Sequence, residues 1–369
     1  MQRSLLTTVA FGMLFCLAML TSLGRASGQR GAPPPPSQTA TEKAADAARI
    51  DRLIQQLGSD NFTERESASK ALEAIGEAAL PALRKAQANP DLEVRRRAGD
   101  LIRVQKQRRS AMRAKAWDRF EKIGNIDSDA GTPDGRIGGI HFNDRVRDED
   151  LAWLPWLDDV ASLQIMGTQF SDAGLVHVKN LSRMSVLDVQ ETKVTDAGLI
   201  HLKELDHLEC LVLSSTRVTD AGLVHLKALK RLWFLNIGFT QITDAGLVHL
   251  KSIKTLGHLD LSHTRITDRG LDHVKEMKAL SSLNLSHTQV TDAGLAKLTG
   301  LGLHSLDLSH TQVTDVGLAR LREIRTLTML RVNETKVTNR AQAEWLEKEK
   351  RASEELKKRN RMMQDSKPR

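Results

Sequence analysis

Thr192-Lys193-Val194-Thr195-Asp196-Ala197-Gly198-Leu199 decides how this chain is read. The same eight positions return as Thr216 to Leu223, Thr240 to Leu247, Thr264 to Leu271 and Thr288 to Leu295, each 24 residues after the last. A shortened step of 23 brings them back at Thr311 to Leu318, and Thr168 to Leu175 is an earlier copy. A fixed period of this size marks a stacked array, in which each unit is too small to bury its own apolar face.

With the first Thr as anchor, each unit reads Leu-x-x-Leu-x-Leu-x-x-Thr-x-Val/Ile-Thr-Asp-x-Gly-Leu-x-x-Leu-x-x-Leu, as in Leu256 to Met277. The opening alternates apolar and polar residues with period two, which predicts a short strand. The closing part spaces apolar residues by three over about three turns, which predicts a short helix on one face. Thr267 and its equivalents stand at the N-cap, and Asp268 stands in the first turn, where negative charge suits the helix dipole. The pattern resembles the leucine-rich repeat family. Its Thr-Asp-x-Gly-Leu corner is similar to the cysteine-containing subtype of F-box leucine-rich proteins. The resemblance covers nine turns and implies an α/β solenoid, with parallel β-strands on a concave face and short helices on a convex face. It implies a binding function without chemistry. Threonine (168, 192, 216, 240, 264, 288, 311, 335) replaces the family's usual Asn or Cys at the anchor, so a ladder of threonine hydroxyls should satisfy the stacked backbone turns. Without an F-box-like segment, a role as a substrate-recognition adaptor is only a remote alternative.

Outside the array, residues 1–26 carry Arg3, an apolar run from Leu5 to Leu20 and small residues around Ala26, the pattern of a signal peptide. An uncleaved signal anchor is the alternative, because the run is nearly long enough to span a bilayer. Residues 27–43, with Pro33 to Pro36, read as a disordered linker. Residues 44–124 carry Ile50, Leu53, Ile54 and Leu57 at helical spacing, then breaks at Gly58 to Asn61 and at Asn89-Pro90-Asp91. This stretch resembles HEAT-like helical repeats, and a small helical bundle is the alternative. Residues 125–136 read as a linker turn, because the Asp127 to Gly135 stretch lacks the third ligand and closing Glu of a calcium loop. Residues 137–345 hold the repeats, with degenerate first and last turns. Residues 346–369 read as a highly charged, coiled-coil-type helix and tail. Taken together, these features resemble exported repeat proteins of planctomycete-type bacteria.

Only Cys16 and Cys210 are present, so a cleaved chain has no internal disulfide. Residues 84–122 hold 13 basic and 5 acidic residues, a surplus equal to the net charge of +8 on the whole chain. Arg95, Arg96, Arg97, Arg103, Lys106, Arg108, Arg109, Arg113 and Lys115 on these helices suit an anionic polymer or lipid headgroups. Nucleic acid is not the expected partner of an exported protein. No nucleophile elbow, phosphate loop, catalytic carboxylate pair or cofactor motif stands out, so the chain is read as non-catalytic.

The expected partner of the concave face is a protein, or a glycan. The outward columns of the strands differ between repeats, and Val186, Cys210, Val212 and Phe234, with Trp233, form an expected exposed apolar patch. Asp188, Asn236, His258, Asp260 and Asn284 surround it as polar contacts. Two histidine columns (177, 201, 225, 249, 273 and 263, 287, 310) are read as repeated solvent-facing residues and not as a metal site.

Overall fold

The computed structural model describes residues 38–128, 137–142, 145–157, 159–167 and 169–347. The signal peptide, residues 27–37 of the first linker, residues 129–136 of the second, Thr168 and all but the first two residues of the charged tail lie outside them, whereas residues 38–43, expected in the disordered linker, are helical. The chain divides into two compact units, residues 1–117 and 118–369.

The first unit is helical: α1 Gln38–Gln56, α2 Phe62–Ile75, α3 Leu80–Ala86 and the long α4 Leu92–Ile123, which runs on into the second unit. Its core gathers Ile50, Ile54, Leu57, Leu72, Leu83, Ala98 and Leu101. An internal repeat of 30 residues governs the helix starts. The Arg65 guanidinium donates to the carbonyls of Ser59 and Asp60 at 2.7 and 3.0 Å, and Arg95 donates to those of Asn89 and Pro90 at 2.7 and 2.8 Å. Asn61 and Asp91 accept from Thr63 and Glu93 N–H as side-chain caps.

The second unit is one ten-stranded sheet in sequence order, β1 Gly124–Ser128 to β10 Met329–Arg331. β1 pairs antiparallel with β2 Ile137–Phe142, and every later neighbour is parallel. Residues 125–128, read above as the start of a linker, therefore belong to the sheet. The alternating Asn125-Ile126-Asp127 sets Ile126 opposite Ile140, and Phe120 packs edge-on against Phe142 at 5.1 Å. These residues cover the open side of β2.

From β4 Val186–Asp188 on, each strand has three residues, and its middle leucine lies in register with the leucine of the neighbouring repeat. The helices are shorter than the expected three turns. They run for one to about two turns, four to seven residues, some of them 3-10. Apolar spacing by three fits the three-residue turn of that tighter helix.

The repeated motif acts mainly between repeats. Each motif Asp accepts twice from the next repeat's Thr. Asp172 takes Thr195 N–H at 2.8 Å and its hydroxyl at 2.6 Å, and the same clamp recurs at Asp196, Asp220, Asp244, Asp268 and Asp292. The motif Gly leaves room for it: a Cβ at Gly270 would stand 2.4 Å from an Asp244 carboxylate oxygen. The seven described anchor threonines, Thr192 to Thr335, form the expected hydroxyl ladder, each donating to a carbonyl three residues back at 2.5–2.7 Å. At the far end residues 339–347 are helical, with Trp345 buried and Leu346 exposed.

Candidate functional site

The outward positions of the strands are those that sequence reasoning selected, and the structure grades their exposure along the array. β4 and β5 Cys210–Val212 are buried at all three residues, whereas β7 His258–Asp260, β8 Ser282–Asn284 and β9 Ser305–Asp307 are buried only at the middle one. At β10 the two outward residues are exposed, Met329 by 59%. Val186, Asp188, Cys210 and Val212 are therefore not the exposed patch expected of them. Period-two alternation names the face of a strand, and exposure depends on what lies across that face.

Trp233 and Phe234, with His258, remain half-buried. The indole of Trp233 lies over Gly257, where a Cβ would come within 2.3 Å, and stacks obliquely on His258 at 4.2 Å. Trp233 thus fills space left by the next repeat's glycine.

The polar column has a structural duty as well. Asp188, Asn236, Asp260, Asn284 and Asp307 each accept from the backbone N–H two residues on, at 2.8–3.0 Å, and so close the turn that leaves the strand. Val212 stands in that column without such a bond. Burial pushes the Asp188 carboxyl up to about 6, against the pull of its Gln190 N–H bond. Asp260 moves in the same direction for the same cause, although Ser262 and Asn284 donate to it. Burial alone pushes the His258 imidazole down to about 4.

Beside this face runs a column that sequence reasoning only partly read. Glu191, Ser215, Phe239, His263, His287, His310 and Glu334, one per repeat, all have φ between 53° and 57°. Histidine tolerates this left-handed corner better than most non-glycine residues. The rings of Phe239, His263, His287 and His310 form a continuous exposed stack, with centroids 3.7–3.9 Å apart and planes within 18° of parallel. Ring lone pairs in parallel planes cannot converge on one ion, so the stack is not a chelating site. Burial first, then the neighbouring rings, pushes His263 down to about 4. Among the described residues no cluster of three or more His, Cys, Asp or Glu could hold a metal. The other histidine column is half-buried and not solvent-facing, and His249 Nδ1 is buried without a hydrogen-bond partner in the structure.

On α4 the candidate cations separate into two sets. Arg95 is committed to its cap, and Arg97 bonds Glu93 at 2.6 Å and Glu66 at 2.8 Å. Arg109 pairs with Glu77, and Arg103 pairs with Asp100 at 2.8 Å. Arg113 also has a bonded partner. Arg96, Lys106, Arg108 and Lys115 point into solvent. No helix among the described residues is long and apolar enough to cross a membrane.

A family model described as "Leucine Rich repeat" matches residues 204–227, 252–272, 278–298 and 303–321. Among solved structures, internalin C2 from Listeria monocytogenes str. 4b F2365 is similar at 21% identity, over 53% of this chain and 81% of that one, with a TM-score of 0.42. No curated protein matches. The four matched repeats and nine successive parallel strands, β2 to β10, make this region a leucine-rich repeat solenoid.

Proposed function

We propose that the chain is an exported, non-catalytic scaffold that binds a protein through the strand side of its repeats, between β6 Phe234–Asn236 and β10. The carrying observation is a contrast within one column. The frame repeats from unit to unit, whereas the position before the central leucine runs Phe234, His258, Ser282, Ser305, Met329 and is at least partly accessible throughout. Positions that vary on a fixed frame are where partner recognition can be set without cost to the fold. Strands β4 and β5 are excluded from this surface because Val186, Cys210 and Val212 are buried. A photo-reactive residue at position 329 should cross-link one partner, and the same residue at Val316, equally exposed on the helix side at 59%, should not. Equal cross-linking from both sites would refute the assignment, and a partner released by glycosidase treatment would make the ligand a glycan.

A second reading rests on Arg96, Lys106 and Arg108, which are exposed on α4 and form no close ion pair among the described residues, although the charge of Arg96 acts on Glu93 through space. These cations suit an anionic polymer, with steep loss of binding as salt rises. Binding through the strand side should fall only shallowly.

A further inference from the structure

The helix side of the array carries a pattern that neither the fold nor the proposed function uses. Val176, Ile200, Val224 and Val248 occupy one position in four consecutive repeats. Ile200, Val224 and Val248 are 41%, 40% and 37% exposed, although the next leucine on each helix is fully buried. Three residues earlier, Ala173, Ala197, Ala221 and Ala245 form a second exposed column. Adjacent repeats place these side chains next to one another, so the eight residues make a continuous apolar strip. The strip ends abruptly. In the following repeat Arg269 and Asp272 take the two positions.

A lysine column flanks it, three residues beyond each aliphatic: Lys179, Lys203, Lys227 and Lys251. Lys251 meets Glu276 at 3.5 Å, while the first three have no carboxylate partner among the described residues. Lys230 and Lys254 extend the cationic border and donate to the helix-end carbonyls of Lys227 and Lys251, both at 3.0 Å. Glu204 and Asp206 are exposed in one of these repeats. The other three carry no acid at those two positions.

We propose that this strip, with its lysine border, is a docking surface for an anionic lipid bilayer. The strip consists of exposed aliphatics and alanines with a border of lysines, a one-sign charge pattern that complements an anionic surface. Aliphatic side chains have nothing to offer the hydroxyls of a glycan. A lipid interface accepts such a strip, because the apolar tips enter the headgroup boundary while lysine stems reach along them to place ammonium groups at the phosphates. Lys179, Lys203 and Lys227, without a carboxylate partner among the described residues, keep their charge for that contact.

Co-sedimentation of the chain without its residues 1–26, read above as a signal peptide, with phosphatidylcholine vesicles, with and without phosphatidylglycerol, tests this. Binding should require phosphatidylglycerol. It should fall by about tenfold or more in the triple variant Lys179→Gln/Lys203→Gln/Lys227→Gln. Ile200→Ser/Val224→Ser/Val248→Ser should also weaken it, with an unfolding midpoint near that of the parent. The loss in both strip variants should exceed that in the helix variant Arg96→Gln/Lys106→Gln/Arg108→Gln. Absence of vesicle binding by the parent chain would overturn the proposal. So would loss of binding in the α4 variant with retention in both strip variants, and that result would assign membrane attachment to α4.

Discussion

Replacing Asp188 by Asn should stabilise the protein, and by an amount that depends on pH. Asp188 is fully buried, and its carboxyl is raised from the ordinary 3.8 to about 6, chiefly by burial. An acid whose folded value lies above its unfolded one binds more protons when folded, so stability falls as pH rises from 3.8 through 6 and stays low above that. A rise of that size corresponds to about 3 kcal/mol of charge burial at pH 7.5. Asn removes that cost and keeps the shape, at the loss of the long 3.3 Å bond that Gln190 Nε2 donates to the second Asp188 oxygen. Its amide oxygen can accept from Gln190 N–H as the Asp oxygen does at 3.0 Å, and Asn236 and Asn284 already fill this role with bonds of 2.9 and 3.0 Å. Urea unfolding followed by tryptophan fluorescence at pH 7.5 should therefore show a gain approaching about 3 kcal/mol, shrinking to well under about 1 kcal/mol at pH 4. A variant of equal or lower stability at pH 7.5, or a gain independent of pH, would refute the reasoning.

Two further perturbations probe the frame. Leu259, 2% exposed at the centre of β7, should cost about 2–5 kcal/mol when cut to Ala, and an unchanged unfolding midpoint would contradict the stacked core. Gly270→Ala should cost about 1–3 kcal/mol because its methyl would meet the Asp244 carboxylate at 2.4 Å. Asp244→Ala alone loses both bonds to Thr267, yet the double variant should cost less than the two single losses added, since removing the carboxylate vacates the space. Simple additivity in that thermodynamic cycle would rule out the steric role of the glycine.

The strand register, the nine turns and the threonine ladder were legible because apolar spacing and a 24-residue period dictate them locally. Other features required the neighbouring repeat to be in place. Asp268 reads from its own helix as a dipole-compensating charge, and only stacking shows that its oxygens hold Thr291. His263, His287 and His310 read as three loop residues until the left-handed corner superposes their rings. The apolar residues Val186, Cys210 and Val212 lie on the expected face of their strands, but they are buried there. Side-chain direction is a property of the strand, whereas burial depends on the surroundings of that strand. On α4 the run of arginines gives the charge correctly, but which members are spent on caps and ion pairs depends on Glu66 and Glu77, about 30 residues upstream.

The same dependence on neighbours explains why the most conspicuous motif is the least informative about ligands. Thr, Asp and Gly in each copy are consumed by a single joint: a cap, a carboxylate clamp and the space it occupies. A residue engaged in that way cannot change without loosening two repeats at once, so the motif stays constant for reasons internal to the stack. Freedom to differ survives only where a side chain touches neither neighbour's backbone. On the strand side the column ending in Met329 takes no part in that joint, and on the helix side neither does the column where Val248 gives way to Asp272. The first changes at almost every step, as a surface fitted to an irregular partner would, and the second holds one chemistry over four repeats before switching, as contact with a uniform layer would. The two patterns therefore point to two different kinds of contact on opposite sides of one frame.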